Sequence, residues 1–166
     1  MDRETISIAL WGDGRVFGKW LEWYCDMGDV FQKLGYKRTH LGITSPSFQG
    51  DRILTVARKE KQILQVLKDG EIPEDLMCYS LPKGFRQAAF DYEVDATRAG
   101  EYIHLEMNAS DFPKIDAEQV IDLLKKYIEL DHGEIFQMSR YEVPLLYVAA
   151  NNPVSMYPSL QIIKRF

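Results

Sequence analysis

The stretch AFDYEVDATRAGEYIHLEMN, residues 89–108, constrains the fold more than any other part of the chain. It reads as two strands joined by a short Gly-containing connection. Because successive strand side chains point to opposite sides, Phe90, Tyr92 and Val94 share one face, and Asp91, Glu93 and Asp95 share the other. In the second strand Ile103, Leu105 and Met107 alternate with Tyr102, His104, Glu106 and Asn108. One side of this pair is apolar and must be covered. The other is acidic, and the alternation predicts that it faces solvent or a partner.

The rest of the chain supplies the cover. Apolar residues at spacings of three and four, from Phe17 through Trp20, Leu21, Tyr24, Met27 and Phe31 to Leu34, paint one face of a helix over 15–34, with Gly35 as its C-terminal cap. Asp51 is positioned to cap a second helix whose stripe runs Ile53, Leu54, Val56, Ala57, Ile63, Leu64, Leu67 and which Gly70 stops. Asp116 caps a third over 117–130, closed by His132-Gly133. Short apolar or alternating runs at 5–11, 38–44, 76–81, 134–140 and 159–166 read as strands, and PLLYVAANNPVSMYP between the last two reads as an exposed, aromatic-bearing segment. Three consecutive strands with short links demand antiparallel pairing, and each helix has a single apolar face. The expected fold is an α+β two-layer sandwich: one domain with a mixed, mainly antiparallel sheet and helices on one face. Residues from 38 to 140 can be threaded as a ferredoxin-like portion.

Charge and composition then exclude function classes. The 25 acidic residues outnumber the 20 basic ones and are interspersed with them, for a net charge of -5, so the basic footprint that nucleic acid requires is missing. No run of ~18 apolar residues marks a membrane span, and the first residues lack a signal-peptide core, which predicts a cytoplasmic protein. Cys25 and Cys78 lie far apart without metal-ligand spacing and read as free, buried thiols.

The remaining motifs are weak carriers of chemistry. Gly12-Asp13-Gly14-Arg15-Val16-Phe17-Gly18 sits at a strand-to-helix turn, but its spacing is not that of a dinucleotide fingerprint, and Asp13 would oppose a phosphate. His40, His104 and His132 show no metalloprotease spacing, and Ser80 and the cysteines lack nucleophile signatures. The acidic face is the one constellation. Asp91, Glu93, Asp95, His104 and Glu106 can cluster across neighbouring strands, where opposed Cβ atoms are ~5 Å apart. Such a group can be a wetted sheet face, a docking surface for a basic partner, or a Mg²⁺ or Mn²⁺ site serving a metal-assisted hydrolase. Tyr147 and Tyr157, with Trp11, Trp23, Tyr141 and Met156, are either a second candidate surface of the kind favoured in interface cores or burial residues, the Trp side chains in the core and the C-terminal tyrosines packing the tail down. That surface also permits a homo-oligomer built on the tail.

A small acidic α+β chain without catalytic motifs, with a Gly133-Glu134-Ile135-Phe136 strand followed by Pro144-Leu145-Leu146-Tyr147 and a polar tail, resembles the immunity proteins encoded beside bacterial polymorphic or contact-delivered toxins. The resemblance implies a non-catalytic binding protein that blocks a cognate protein toxin directly and needs no cofactor. Asp91, Glu93, Asp95, His104, Glu106, Tyr147 and Tyr157 are then the expected partner-binding residues.

Overall fold

A computed structural model describes all residues except 1–2, 16, 50–52 and 85–91. Asp91 and Phe90 of the acidic hairpin, and the capping residue Asp51, lie outside the described residues. Eight strands form one sheet: β1 (Glu4–Asp13), β2 (His40–Thr44), β3 (Ile53–Thr55), β4 (Asp75–Ser80), β5 (Val94–Ala99), β6 (Tyr102–Asn108), β7 (Glu129–Ser139) and β8 (Gln161–Arg165). Their spatial order is β3-β2-β4-β5-β6-β1-β7-β8, and every pairing among the described residues is antiparallel. The α+β expectation holds. The portion threaded as ferredoxin-like instead runs as an antiparallel meander, β2-β4-β5-β6, with β1 inserted before β7.

Helices α1 (Trp20–Leu34), α2 (Val56–Lys68) and α3 (Ala117–Leu124) cover one face. Alternation puts Ile6, Ile8 and Leu10 of β1, Val94 and Ala96 of β5, and Ile103, Leu105 and Met107 of β6 on that face. There they pack with Trp23, Met27 and Phe31 of α1, Ile63 of α2, and Val120 and Leu124 of α3. Burying each of the larger of these side chains contributes about 1.5–3 kcal/mol. The predicted caps of α1 and α3 are in place. Gly35 takes φ 93°, a left-handed conformation glycine reaches without strain, and Tyr36 N–H donates to the Phe31 carbonyl. The Asp116 carboxylate accepts from Gln119 N–H at 3.2 Å.

Boundaries moved where local pattern was ambiguous. Ile53 and Leu54, assigned to the second helix, form the short edge strand β3 because β2 offers a free edge at Leu41 and Gly42. The third helix stops at Leu124, and His132-Gly133 lies within β7, with Gly133 exchanging backbone hydrogen bonds with Phe166. The hairpin's first strand begins at Val94, with Tyr92 and Glu93 outside it, and turns at Gly100, and β5 and β6 occupy the centre of the sheet. Gly12 sits at a β1 bulge, where a Cβ would lie 1.9 Å from the Glu129 carbonyl oxygen, so the close approach of β7 dictates this glycine. No helix of the described residues is long and apolar enough to cross a membrane.

Candidate functional site

The second face of the sheet is where structure and expectation part. A wetted or docking face was expected, but Asp95, His104 and Glu106 are 1%, 0% and 0% exposed. The segment that covers this side includes residues read as an exposed tail. After β7 the chain makes a 3₁₀ turn at Arg140–Glu142, the short helix α4 (Pro144–Val148) and a second turn at Val154–Met156. Val148 and Tyr157 pack on Ala9, Phe136 and Met138, which point away from the helices. Tyr147 stands edge-on to Phe136 at 4.9 Å and to Tyr157 at 5.7 Å, and Phe136 lies parallel to the His104 ring at 6.3 Å. Tyr157 is buried and Tyr147 half-buried, and both pack inward on the sheet, as tyrosines that hold the tail down would. Tyr147 also donates to Glu134 Oε2 at 2.7 Å.

Strand register assembles the polar residues beneath this cap. Asp95 is directly opposite Glu106 and Thr97 opposite His104 across β5–β6, while Ser7 and Ala9 of β1 oppose Glu106 and His104 on the other side. One ligand-capable atom from each of Asp95, His104 and Glu106 falls within 4.8 Å of the others. Tyr92 O–H donates to Glu106 Oε2 at 2.8 Å, Thr97 O–H to Asp95 Oδ1 at 3.1 Å, and His104 Nε2 shares a 2.9 Å hydrogen bond with Ser7 Oγ. Asn108, placed on the polar side of its strand by alternation, and two residues that carried no site signal in the sequence, Arg140 and Asp111, complete the network. Arg140 donates to the Tyr92 carbonyl at 2.5 Å and to Asn108 Oδ1, and Asn108 Nδ2 donates to Glu93 Oε2 at 2.5 Å and to Asp111 Oδ2 at 3.3 Å. Glu93 is thus half-buried at the margin, tied to the network and separate from the three-residue cluster.

Burial sets the protonation of the cluster. Withdrawal from water holds Asp95 well above the usual carboxylate range, and Glu106 opposite it raises it further. Burial also pushes Glu106 up to about 7, against the Tyr92 hydrogen bond and the Arg140 charge, and pushes His104 down to about 3. The imidazole is therefore neutral. Two acids and a neutral imidazole can share a proton or hold a cation, and a substrate would reach them only with the cap displaced. Thr5 and Ser7 were legible as strand residues but carried no site signal, because they become polar company only once β1 is inserted beside β6, while Thr97 already faces His104 across the hairpin.

The glycine motif has a structural role, as Gly12 shows. The two thiols differ: Cys78 is buried on the helix side of β4, whereas Cys25, expected to be buried, is exposed on α1 because it lies off the apolar stripe.

Against known proteins, no family model matches the chain, and no curated protein matches it. Among solved structures it is similar to the Pseudomonas aeruginosa T6SS protein PA0821, with a TM-score of 0.50 and 15% identity over 81% of this chain. The chain spans 42% of that protein's length. At this identity the likeness is one of fold: an antiparallel α+β sheet with helices layered on it.

Proposed function

We propose that the chain is a non-catalytic binding protein of the immunity type, which neutralises a cognate toxin by direct contact, and that it docks through the outer surface of the cap. The observation that carries this reading is the exposure of Tyr141, Val154 and Met156, at 60%, 65% and 59%. All three belong to the segment whose inner side chains seal the polar face. Large apolar and aromatic side chains held outward on a well-anchored element suit an interface core, where a few such anchors carry most of the binding energy. The fold shared with a Pseudomonas aeruginosa T6SS protein supports the setting of contact-delivered toxins. Asp95, His104 and Glu106 serve this reading from beneath the docking surface, and Glu93 can contribute charge at its edge.

The test is co-expression with the toxin-like product of a neighbouring reading frame. Protection of growth and co-purification of the two proteins are expected. The double substitution Tyr141→Ala with Met156→Ser should weaken binding by at least tenfold, about 1.4 kcal/mol, while leaving the fold intact. Full protection by that variant would overturn the cap as docking surface. Toxicity undiminished by the wild-type chain would overturn the immunity reading itself.

A further inference from the structure

The geometry points to a divalent transition-metal site, zinc foremost, sealed between the sheet and the cap with Asp95, His104 and Glu106 as its protein ligands. The inference is independent of which partner the outer surface takes.

Proximity of the three groups is the first observation. The second is that Glu106 Oε1 and His104 Nδ1, both fully buried, have no hydrogen-bond partner among the described residues. A buried polar atom left unpaired opposes folding, so two in one cluster need a reason. A cation supplies one. The hydrogen bonds already present are those of an outer shell. Ser7 engages Nε2 of His104, which fixes the ring's orientation and leaves Nδ1 for the ion. Tyr92 holds the other oxygen of Glu106, and Thr97 holds one oxygen of Asp95. Each ligand is oriented by a neighbour and keeps an atom for the ion.

Donor chemistry selects the class of ion. An imidazole beside two carboxylates suits Zn²⁺ or Mn²⁺ better than Ca²⁺ or Mg²⁺, which take oxygen ligands in larger or more hydrated shells. Two carboxylates also balance a divalent charge, which makes the occupied pocket neutral in a place where net charge is costly. Tetrahedral zinc at ~2.0–2.2 Å from its ligands sets donor atoms ~3.4 Å apart. From a spread of up to 4.8 Å, small side-chain rotations reach that geometry. Such an ion is out of reach of substrate beneath the closed cap, and its role is to fasten β5 to β6 under α4.

The experiment begins with the protein unfolded, stripped with chelator and refolded with Zn²⁺, so that slow entry into a closed pocket does not decide the result. After desalting, one equivalent of zinc should remain by elemental analysis. The loaded protein should melt about 5–10 °C above the metal-free form when free zinc is roughly a hundredfold above its Kd. Co²⁺ in its place should give the visible bands of a low-coordinate site. Asp95→Asn and Glu106→Gln, near-isosteric changes, should each weaken binding at least tenfold. Should either variant fail to fold, the wild-type stoichiometry and the Co²⁺ spectrum still decide. Retention of no metal by the refolded wild type would overturn the site, as would binding that both variants leave unchanged.

Discussion

The two faces of this sheet are built on opposite principles from the same strands. On the helix side, Ile8, Leu10, Leu105 and Met107 meet Trp23, Met27 and Phe31, and apolar burial dominates, with the buried Arg98 guanidinium stacked on Trp20 and donating to the Gly14 and Gly18 carbonyls. On the cap side, one residue over in each strand, Ser7, His104, Glu106 and Asp95 are equally buried. Burial there opposes folding unless each polar group finds a partner. The first face tolerates any well-packed hydrophobic set of similar volume, whereas the second depends on individual hydrogen bonds and on a charge balance. A chain that needed only a stable sheet would have paired the cap with valine and leucine.

The largest effect that separates the faces is a cavity on the helix side. Phe31 is fully buried on α1, and Phe31→Ala should cost about 3–5 kcal/mol. In chemical denaturation this shows as a lower midpoint with unchanged slope. Next comes removal of the cation on the cap side. Arg140 bonds the Tyr92 carbonyl and Asn108 and lies 5.1 Å over the Tyr92 ring, so Arg140→Met leaves buried acceptors and carboxylates uncompensated, at about 2–4 kcal/mol. That variant should also lose near-UV dichroism from Tyr92 and the cap, while Phe31→Ala retains it. Equal loss in both variants would erase the distinction between the faces.

A smaller change has the opposite sign. In metal-free protein Asp95→Asn removes one of two buried acids facing each other across β5–β6 and gives the position an amide that can donate to Glu106. It should raise Tm by about 2–4 °C, near 1 kcal/mol for a chain of this length. Tyr147→Phe should lower stability by about 1 kcal/mol, since only the bond to Glu134 is lost while the ring contacts with Phe136 and Tyr157 persist. Differential scanning calorimetry on the two variants resolves both signs.

How far the sequence carried these distinctions follows from period. Alternation at 94–107 and helical spacing at 20–34 are strong signals and put most of the right residues on the helix face, although Trp23, counted among the candidate surface aromatics, is fully buried there. The proximity of Asp95, His104 and Glu106 was legible too, because cross-strand neighbours follow from register. Their burial was not. Polar alternation ordinarily signifies a wet face, and only the cap overrides it. That cap, residues 140–160, contains a five-residue helix and two single turns, too short for any period to emerge. Its anchors, Val148 and Tyr157, are nine residues apart and pack on strands far away in sequence. Arg140 was likewise unreadable, since nothing local announces that its guanidinium meets Tyr92 and Asn108.

The gentlest probe of the two faces is chemical rather than energetic. Cys78 alternates onto the helix side of β4, where burial pushes its thiol up to about 12, so at pH 8 it is neutral as well as inaccessible. Cys25, on the exposed side of α1, is open to reagent. Iodoacetamide should therefore label one thiol quickly in the native protein and the second only at the rate of opening, and Cys25→Ser should abolish the fast phase. Because modification requires both access and thiolate, the slow phase measures opening of the helix side alone. Comparing it with hydrogen exchange at the β6 amides, which sit beneath the cap as well, separates global unfolding from lifting of the cap. Exchange at β6 that runs faster than Cys78 labelling, after correction for each intrinsic rate, would place the cap among the low-stability elements of the fold and the helix layer among the last to open. Identical opening free energies would make the two faces a single cooperative unit, and the cap a fixed part of the core.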